Sequence, residues 1–114
     1  MPHFILECSD NVLTSVSEEV VIKEIHLTAL ASSLFSEADI KVRIQSFKSY
    51  SVGNTKEDFI HVFGHIMAGR SAEQKTDLSK KIVQKLLSLF PAVPHITIHI
   101  GEFEKAAYYN RRML

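Results

Sequence analysis

From Pro2 to Ser9 the chain is mostly apolar and β-compatible, and Ser9-Asp10-Asn11 supplies the turn chemistry that ends such a run, which predicts a first strand. From Ser15 to Phe35 the spacing changes. Ile22, Ile25 and Ala29 recur at helical intervals, with Leu27, Leu30 and Leu34 widening the stripe and Glu18, Glu19, Lys23 and Glu24 mostly outside it. One long helix is expected there. From Ile40 the period drops to two, with Ile40, Val42 and Ile44 on one face and Lys41, Arg43 and Gln45 on the other, so a second strand follows. Val52-Gly53-Asn54-Thr55 is the strongest breaker in the chain and falls near its midpoint.

Beyond the breaker, Phe59 to Ala68 reads as a third strand, fairly apolar on both faces, and Gly69 gives a tight exit. Ser71 and Gln74 fit a capping box. The helix it opens would bury Leu78, Ile82, Leu86 and Leu89, expose Lys80, Lys81 and Lys85, and stop at Pro91. Ile96, Ile98 and Ile100, alternating with Thr97 and His99, predict a fourth strand.

The two halves echo each other. Ser33-Leu34-Phe35 corresponds to Ser88-Leu89-Phe90 at an offset of 55 residues, and Ile40, Val42, Ile44 and Phe47 correspond to Ile96, Ile98, Ile100 and Phe103 at 56. A β-α-β unit written twice predicts an α+β fold in a single domain spanning 1–114, with pseudo-repeat halves of about 1–54 and 55–114. Helical crossovers join parallel strands and are right-handed, so two units side by side give a four-stranded sheet with both helices on one face. The other face, carrying Phe and Ile side chains, would be left bare. Covering it with further copies of the chain is the simplest remedy, so an oligomer is expected.

Composition narrows the function classes. The 114 residues carry 13 basic and 13 acidic side chains and no net charge, so there is no general electrostatic footprint for nucleic acid or an anionic membrane. Cys8 is the one cysteine, which excludes an internal disulfide and fits a reducing compartment. No apolar run approaches the length of a membrane span and no secretory signal pattern opens the chain, so a cytoplasmic location is expected. No phosphate-binding glycine loop or nucleophile elbow occurs.

The six histidines invite a metal reading, since His61 and His65 are four apart, as are His95 and His99. In strands that spacing separates side chains by about 13 Å, too far for one ion, so no metal site is expected. Glu7, the one carboxylate of the first strand, reads as a buried hydrogen-bonded glutamate. Arg70 stands where a strand gives way to a helix, a place suited to a carboxylate; on position alone it fits an anion-binding role or a solvated surface charge. The tail from Ala107 to Leu114 is aromatic and basic, and reads as a segment reaching a neighbour or as a frayed end.

Pro2 is the residue with the most unusual chemistry. It either begins a strand where no ladder donor is needed or, once Met1 is trimmed, becomes a secondary amine at the head of the chain. An α-amino group has a pKa near 8, and an apolar pocket beside a cation lowers it, leaving a neutral base at pH 7.

The opening Pro2-His3-Phe4-Ile5-Leu6-Glu7-Cys8-Ser9-Asp10-Asn11, the Ile40 to Arg43 strand and Ala68-Gly69-Arg70-Ser71 together resemble the 5-carboxymethyl-2-hydroxymuconate isomerases of the tautomerase superfamily over nearly the whole chain. The resemblance implies a homotrimer of doubled β-α-β subunits with a four-stranded mixed sheet, and a cofactor-independent isomerase for a small carboxylate substrate. Pro2 would be the catalytic proton carrier and Arg70 would hold a substrate carboxylate. Lys41 and Arg43 would steady the 2-oxygen or a second carboxylate. The family pattern in the second strand is Arg-x-Arg, whereas this chain has Lys41-Val42-Arg43. Lysine keeps the charge but loses the planar fork, which bears on substrate choice more than on reaction type. An arylpyruvate-type keto–enol tautomerase keeps the same chemistry. A non-catalytic trimeric binding protein with Met1 retained is the alternative from another class.

Overall fold

The computed structural model describes residues 1–114. Its elements in order are β1 (His3–Ser9), α1 (Glu18–Ala31), β2 (Lys41–Phe47), β3 (Phe59–Met67), α2 (Ala72–Leu89) and β4 (His95–Phe103), with short 3-10 turns between and after them. One four-stranded mixed sheet runs β2-β1-β3-β4. β1 pairs β2 in parallel and β3 pairs β4 in parallel, while the two halves join antiparallel through β1 and β3. This is the doubled β-α-β that the pattern predicts.

Even positions of β1 and β3 supply the sheet's share of the core: Phe4, Leu6 and Cys8 beside Ile60, Val62 and Ile66, all buried. Against them pack Val21, Ile25 and Ala29 of α1 and Leu78, Ile82 and Leu86 of α2. Gly64 shares that inward face, where an added Cβ would stand 2.5 Å from Ile100 Cδ1 and 3.3 Å from the Phe4 ring. Its lack of a side chain lets both neighbours close over the sheet. Buried Ser9 ties the halves together, donating to Asp58 Oδ1 at 3.0 Å and accepting from the Phe59 amide at 3.2 Å.

The first helix is shorter than its apolar pattern. Residues Asp10–Thr14 form a 3-10 turn, in which the Thr14 hydroxyl donates to the Asn11 carbonyl, and α1 starts only after Ser17, whose hydroxyl accepts from the Val20 amide. At the other end Ser33 takes a positive φ of 62°, so Leu34 and Phe35 leave the helix and reach the core as loop residues. The buried stripe is centred on Val21, Ile25 and Ala29; Ile22 lies beside it because Val20, Val21 and Ile22 are consecutive and only one can point straight inward. α2 follows its prediction in the Ser71/Gln74 capping box and the burial of Leu78, Ile82 and Leu86, while Leu89, expected buried, is only partly covered and Phe90 just past the helix end is buried instead. Replacing fully buried Ile82 by Ala should lower unfolding free energy by about 2–5 kcal/mol, read as a drop in the urea midpoint with unchanged slope.

The helix-free face differs from the bare apolar surface that was expected. Odd positions of β1, β2, β3 and β4 bring Ile5, Phe63 and Phe103 to it, but also Lys41, Arg43 and Glu7, together with His3, His61, His65, His95 and His99. Phe63 is 36% exposed there. Glu7 is half-exposed on this face and not a buried, hydrogen-bonded group, because it has the opposite parity to Phe4, Leu6 and Cys8. The histidines take separate partners: His61 Nδ1 lies 2.6 Å from Thr97 Oγ1, and His95 Nε2 2.8 Å from Glu57 Oε2. No three His, Cys, Asp or Glu side chains stand close enough to share a metal ion. No helix is long and apolar enough to cross a membrane.

Candidate active site

The sheet's topology gathers the chain's N-terminus, the start of β2 and the end of β3 at one corner. Register sets His3 opposite Lys41 on one side and opposite His65 on the other, so residues just before β1 and just after β3 are neighbours. Between them opens a cavity of about 600 Å³. Met1 and His3 form one wall, Asp39 and Lys41 a second, and Met67 and Arg70 a third; Tyr108 through Arg112 of the tail complete it.

Pro2 is buried immediately behind Met1, and its carbonyl accepts from the Lys41 amide at 3.1 Å, which extends the β1–β2 ladder by one residue toward the cavity. The head of the chain is thereby fixed by the sheet. Burial, and then the Lys41 ammonium, hold the Met1 amine below its ordinary value near 8.0, with Arg112 adding to the effect and Asp39 opposing it. Burial and a neighbouring cation, the two conditions that disfavour the charged form of an amine, therefore meet at this corner.

Lys41 rises from the first position of β2, and its ammonium donates to the Asp39 carbonyl at 2.9 Å. Arg70 follows Gly69, which has a φ of 117° and turns the chain sharply between β3 and α2. The Gly69 amide is held by Glu102 Oε2 at 3.2 Å, and Glu102 is itself bridged to Lys75 at 2.7 Å. From that turn the Arg70 guanidinium crosses to the other half, donating to the Leu34 carbonyl at 2.7 Å and lying 5.3 Å from the Phe35 ring centre. A second donor faces the Met67 carbonyl at 3.5 Å. Arginine has five N–H donors, so donors remain for a ligand in the cavity.

Arg43 does not line the cavity. It sits two residues along β2 on the open sheet face, with Nη1 3.0 Å from His3 Nδ1. Because a guanidinium can only donate, Nδ1 accepts and the neutral imidazole carries its proton on Nε2. Burial, then Arg43 and Lys41, push the His3 pKa below its ordinary 6.5, which agrees with that state. Arg43 thus reaches the site through His3, which does line it. Of the four expected site residues, Lys41 and Arg70 share the cavity, Pro2 stands behind its Met1 wall, and Arg43 is displaced from it. His3, Asp39 and the tail were missed as lining residues. The basic, aromatic composition of the tail was the available signal, but the pattern did not tell where the tail would fold.

The family model for 5-carboxymethyl-2-hydroxymuconate isomerase matches residues 2–111. A 5-carboxymethyl-2-hydroxymuconate Delta-isomerase from Escherichia coli is 27% identical over 106 residues, covering 91% of this chain and 84% of the relative. The crystal structure of a 5-carboxymethyl-2-hydroxymuconate isomerase from Deinococcus radiodurans R1 superposes with a TM-score of 0.85 at 23% identity, covering 96% of this chain and 88% of that one. A fused 4-OT wild type symmetric trimer shares the fold at a TM-score of 0.82 and 12% identity, over 96% of this chain and 91% of the other. A family match over nearly the whole sequence, on a doubled β-α-β sheet, makes the chain an isomerase that belongs to the 5-carboxymethyl-2-hydroxymuconate isomerase family.

Proposed function

We propose that this isomerase is a tautomerase acting on a 2-hydroxymuconate-type or related 2-oxo acid substrate, with Pro2 as its base after Met1 is removed. The observation that carries the reading is the placement of Pro2, buried at the head of the chain, held through its carbonyl by the Lys41 amide, and directly behind the Met1 wall of a cavity lined by Lys41 and Arg70. In the reaction the neutral Pro2 nitrogen takes the proton of the dienol hydroxyl. The oxygen's electrons form the carbonyl, the conjugated double bonds shift, and the same proton returns to carbon. The step is redox-neutral and its atoms balance within the substrate. Arg70 binds a carboxylate, and Lys41 stabilises the 2-oxygen as charge develops. Arg43 contributes through His3, by holding the imidazole neutral with Nε2–H available as a donor.

The open sheet face, with Ile5, Phe63 and Phe103, supports a homotrimer in which copies cover one another. Two assays test the reading. Loss of dienol absorbance should be catalysed for a 2-hydroxymuconate-type dicarboxylate more efficiently than for an arylpyruvate enol, and sedimentation should give three times the 12.9 kDa chain mass. Turnover of the arylpyruvate alone would move the substrate class, and no turnover of either would leave a binding protein.

A further inference from the structure

The cavity holds more positive charge than the proton transfer uses. Lys41, Arg70, Arg111 and Arg112 face it, with Asp39 as the one acid in its walls. Lys41 and Arg70 are tied to backbone carbonyls, whereas the Arg111 and Arg112 side chains make no hydrogen bond and no ion pair within the chain.

The segment that carries them is nevertheless built. The Tyr108 ring lies 5.9 Å from Phe103, Asn110 Nδ2 donates to the Tyr108 hydroxyl at 3.3 Å, Asn110 Oδ1 accepts from the Arg112 amide at 3.0 Å, and the Tyr109 hydroxyl donates to the Met113 carbonyl at 2.8 Å. These contacts hold the turn Arg111–Met113, whose first two residues line the cavity. A turn held by its own side chains, whose Arg111 and Arg112 both line a cavity also lined by Lys41 and Arg70, is suited to a ligand with more than one negative charge.

We propose that Arg111 and Arg112 form a second carboxylate site in this cavity, so that the tail selects substrates bearing a carboxylate remote from the 2-oxo acid group over those with a single carboxylate. The inference rests on the tautomerase reading for the location of the reacting group, but it assigns the remote end of the substrate to residues with no part in proton transfer. They are specificity-determining residues. Lys41 and Arg70 remain to hold the 2-oxo acid end.

The test uses binding, so it does not depend on turnover. The mature full-length protein is titrated calorimetrically with 2-oxoadipate and with 2-oxohexanoate, which have the same chain length and differ in one terminal carboxylate. The wild-type protein should bind 2-oxoadipate about tenfold more tightly or better, the scale of one charge-assisted contact. In Arg111→Ala/Arg112→Ala the preference should fall to within about twofold, with 2-oxohexanoate binding unchanged. Arg111→Gln/Arg112→Gln, which keeps side-chain length, should behave likewise and stands in if the alanine variant does not fold. Equal affinities in the wild type, full preference in the variants, or equal weakening of both ligands would overturn the proposal. A wild-type protein that shows the preference but turns over neither dienol nor enol would instead overturn the tautomerase reading alone.

Discussion

Protein that keeps Met1 should lose proton transfer by about 10²–10⁴-fold relative to protein that has lost it, the usual contribution of a positioned general base. The reason is covalent. With Met1 attached, the Pro2 nitrogen is a tertiary amide, its lone pair is delocalised into the carbonyl, and it has no basicity at neutral pH. With Met1 removed, the same atom is a secondary amine at the end of a strand whose next peptide is already locked to Lys41. Pro2→Gly should retain part of the activity, because a primary amine remains, but with a looser direction. Blocking removal of Met1, with intact mass confirming the block, gives the two preparations whose turnover is compared.

Arg70→Ala should reduce kcat/KM by about 10- to 150-fold, corresponding to a charge-assisted carboxylate bond of about 1.5–3 kcal/mol. A second loss should accompany it. Arg70 satisfies the Leu34 carbonyl at 2.7 Å and packs on Phe35, so truncation leaves a carbonyl of the first half without its donor. Unfolding stability should fall by about 1–3 kcal/mol. Arg70→Lys separates the two effects, keeping a charge at the cavity while losing the planar fork, and should recover part of the binding. Steady-state kinetics on a dicarboxylate substrate together with urea unfolding of both variants checks each arm. Unchanged kinetics in Arg70→Ala would remove Arg70 from substrate binding.

Much of this arrangement was legible in the sequence because period and parity carry it. The doubled β-α-β follows from two period-two runs, two helical stripes and one midpoint breaker, and α2 matches down to its capping box. Where the helix and its neighbours departed, local side-chain competition was responsible: the Thr14 hydroxyl supports a 3-10 turn, and the positive φ of Ser33 ends α1 before Leu34. The open face is less apolar than its Phe and Ile content suggests, because cross-strand register sets histidines and charges beside Ile5 and Phe63. Lys41 and Arg70 could be linked before the fold was known only through the family motif, since they lie in different halves and meet through topology. The tail at the cavity and the diversion of Arg43 onto His3 depend on tertiary contacts of single side chains, which no periodicity records.

In the proposed reaction the Pro2 nitrogen carries the proton. The most direct measurement is an NMR titration of that nitrogen in protein labelled with ¹⁵N-proline and shown by intact mass to lack Met1, overlaid on kcat/KM across the same pH range. With Met1 attached, burial and Lys41 lower the Met1 amine at this corner; the Pro2 amine left by its removal stands one residue further into the same buried corner beside Lys41, so its pKa should lie below about 8. A base is active when neutral, so kcat/KM should rise with pH through that value, then level off, and the two curves should share a midpoint. A nitrogen that titrates well above 8, or a rate that stays flat while the nitrogen titrates, would contradict the assignment of Pro2 as the base.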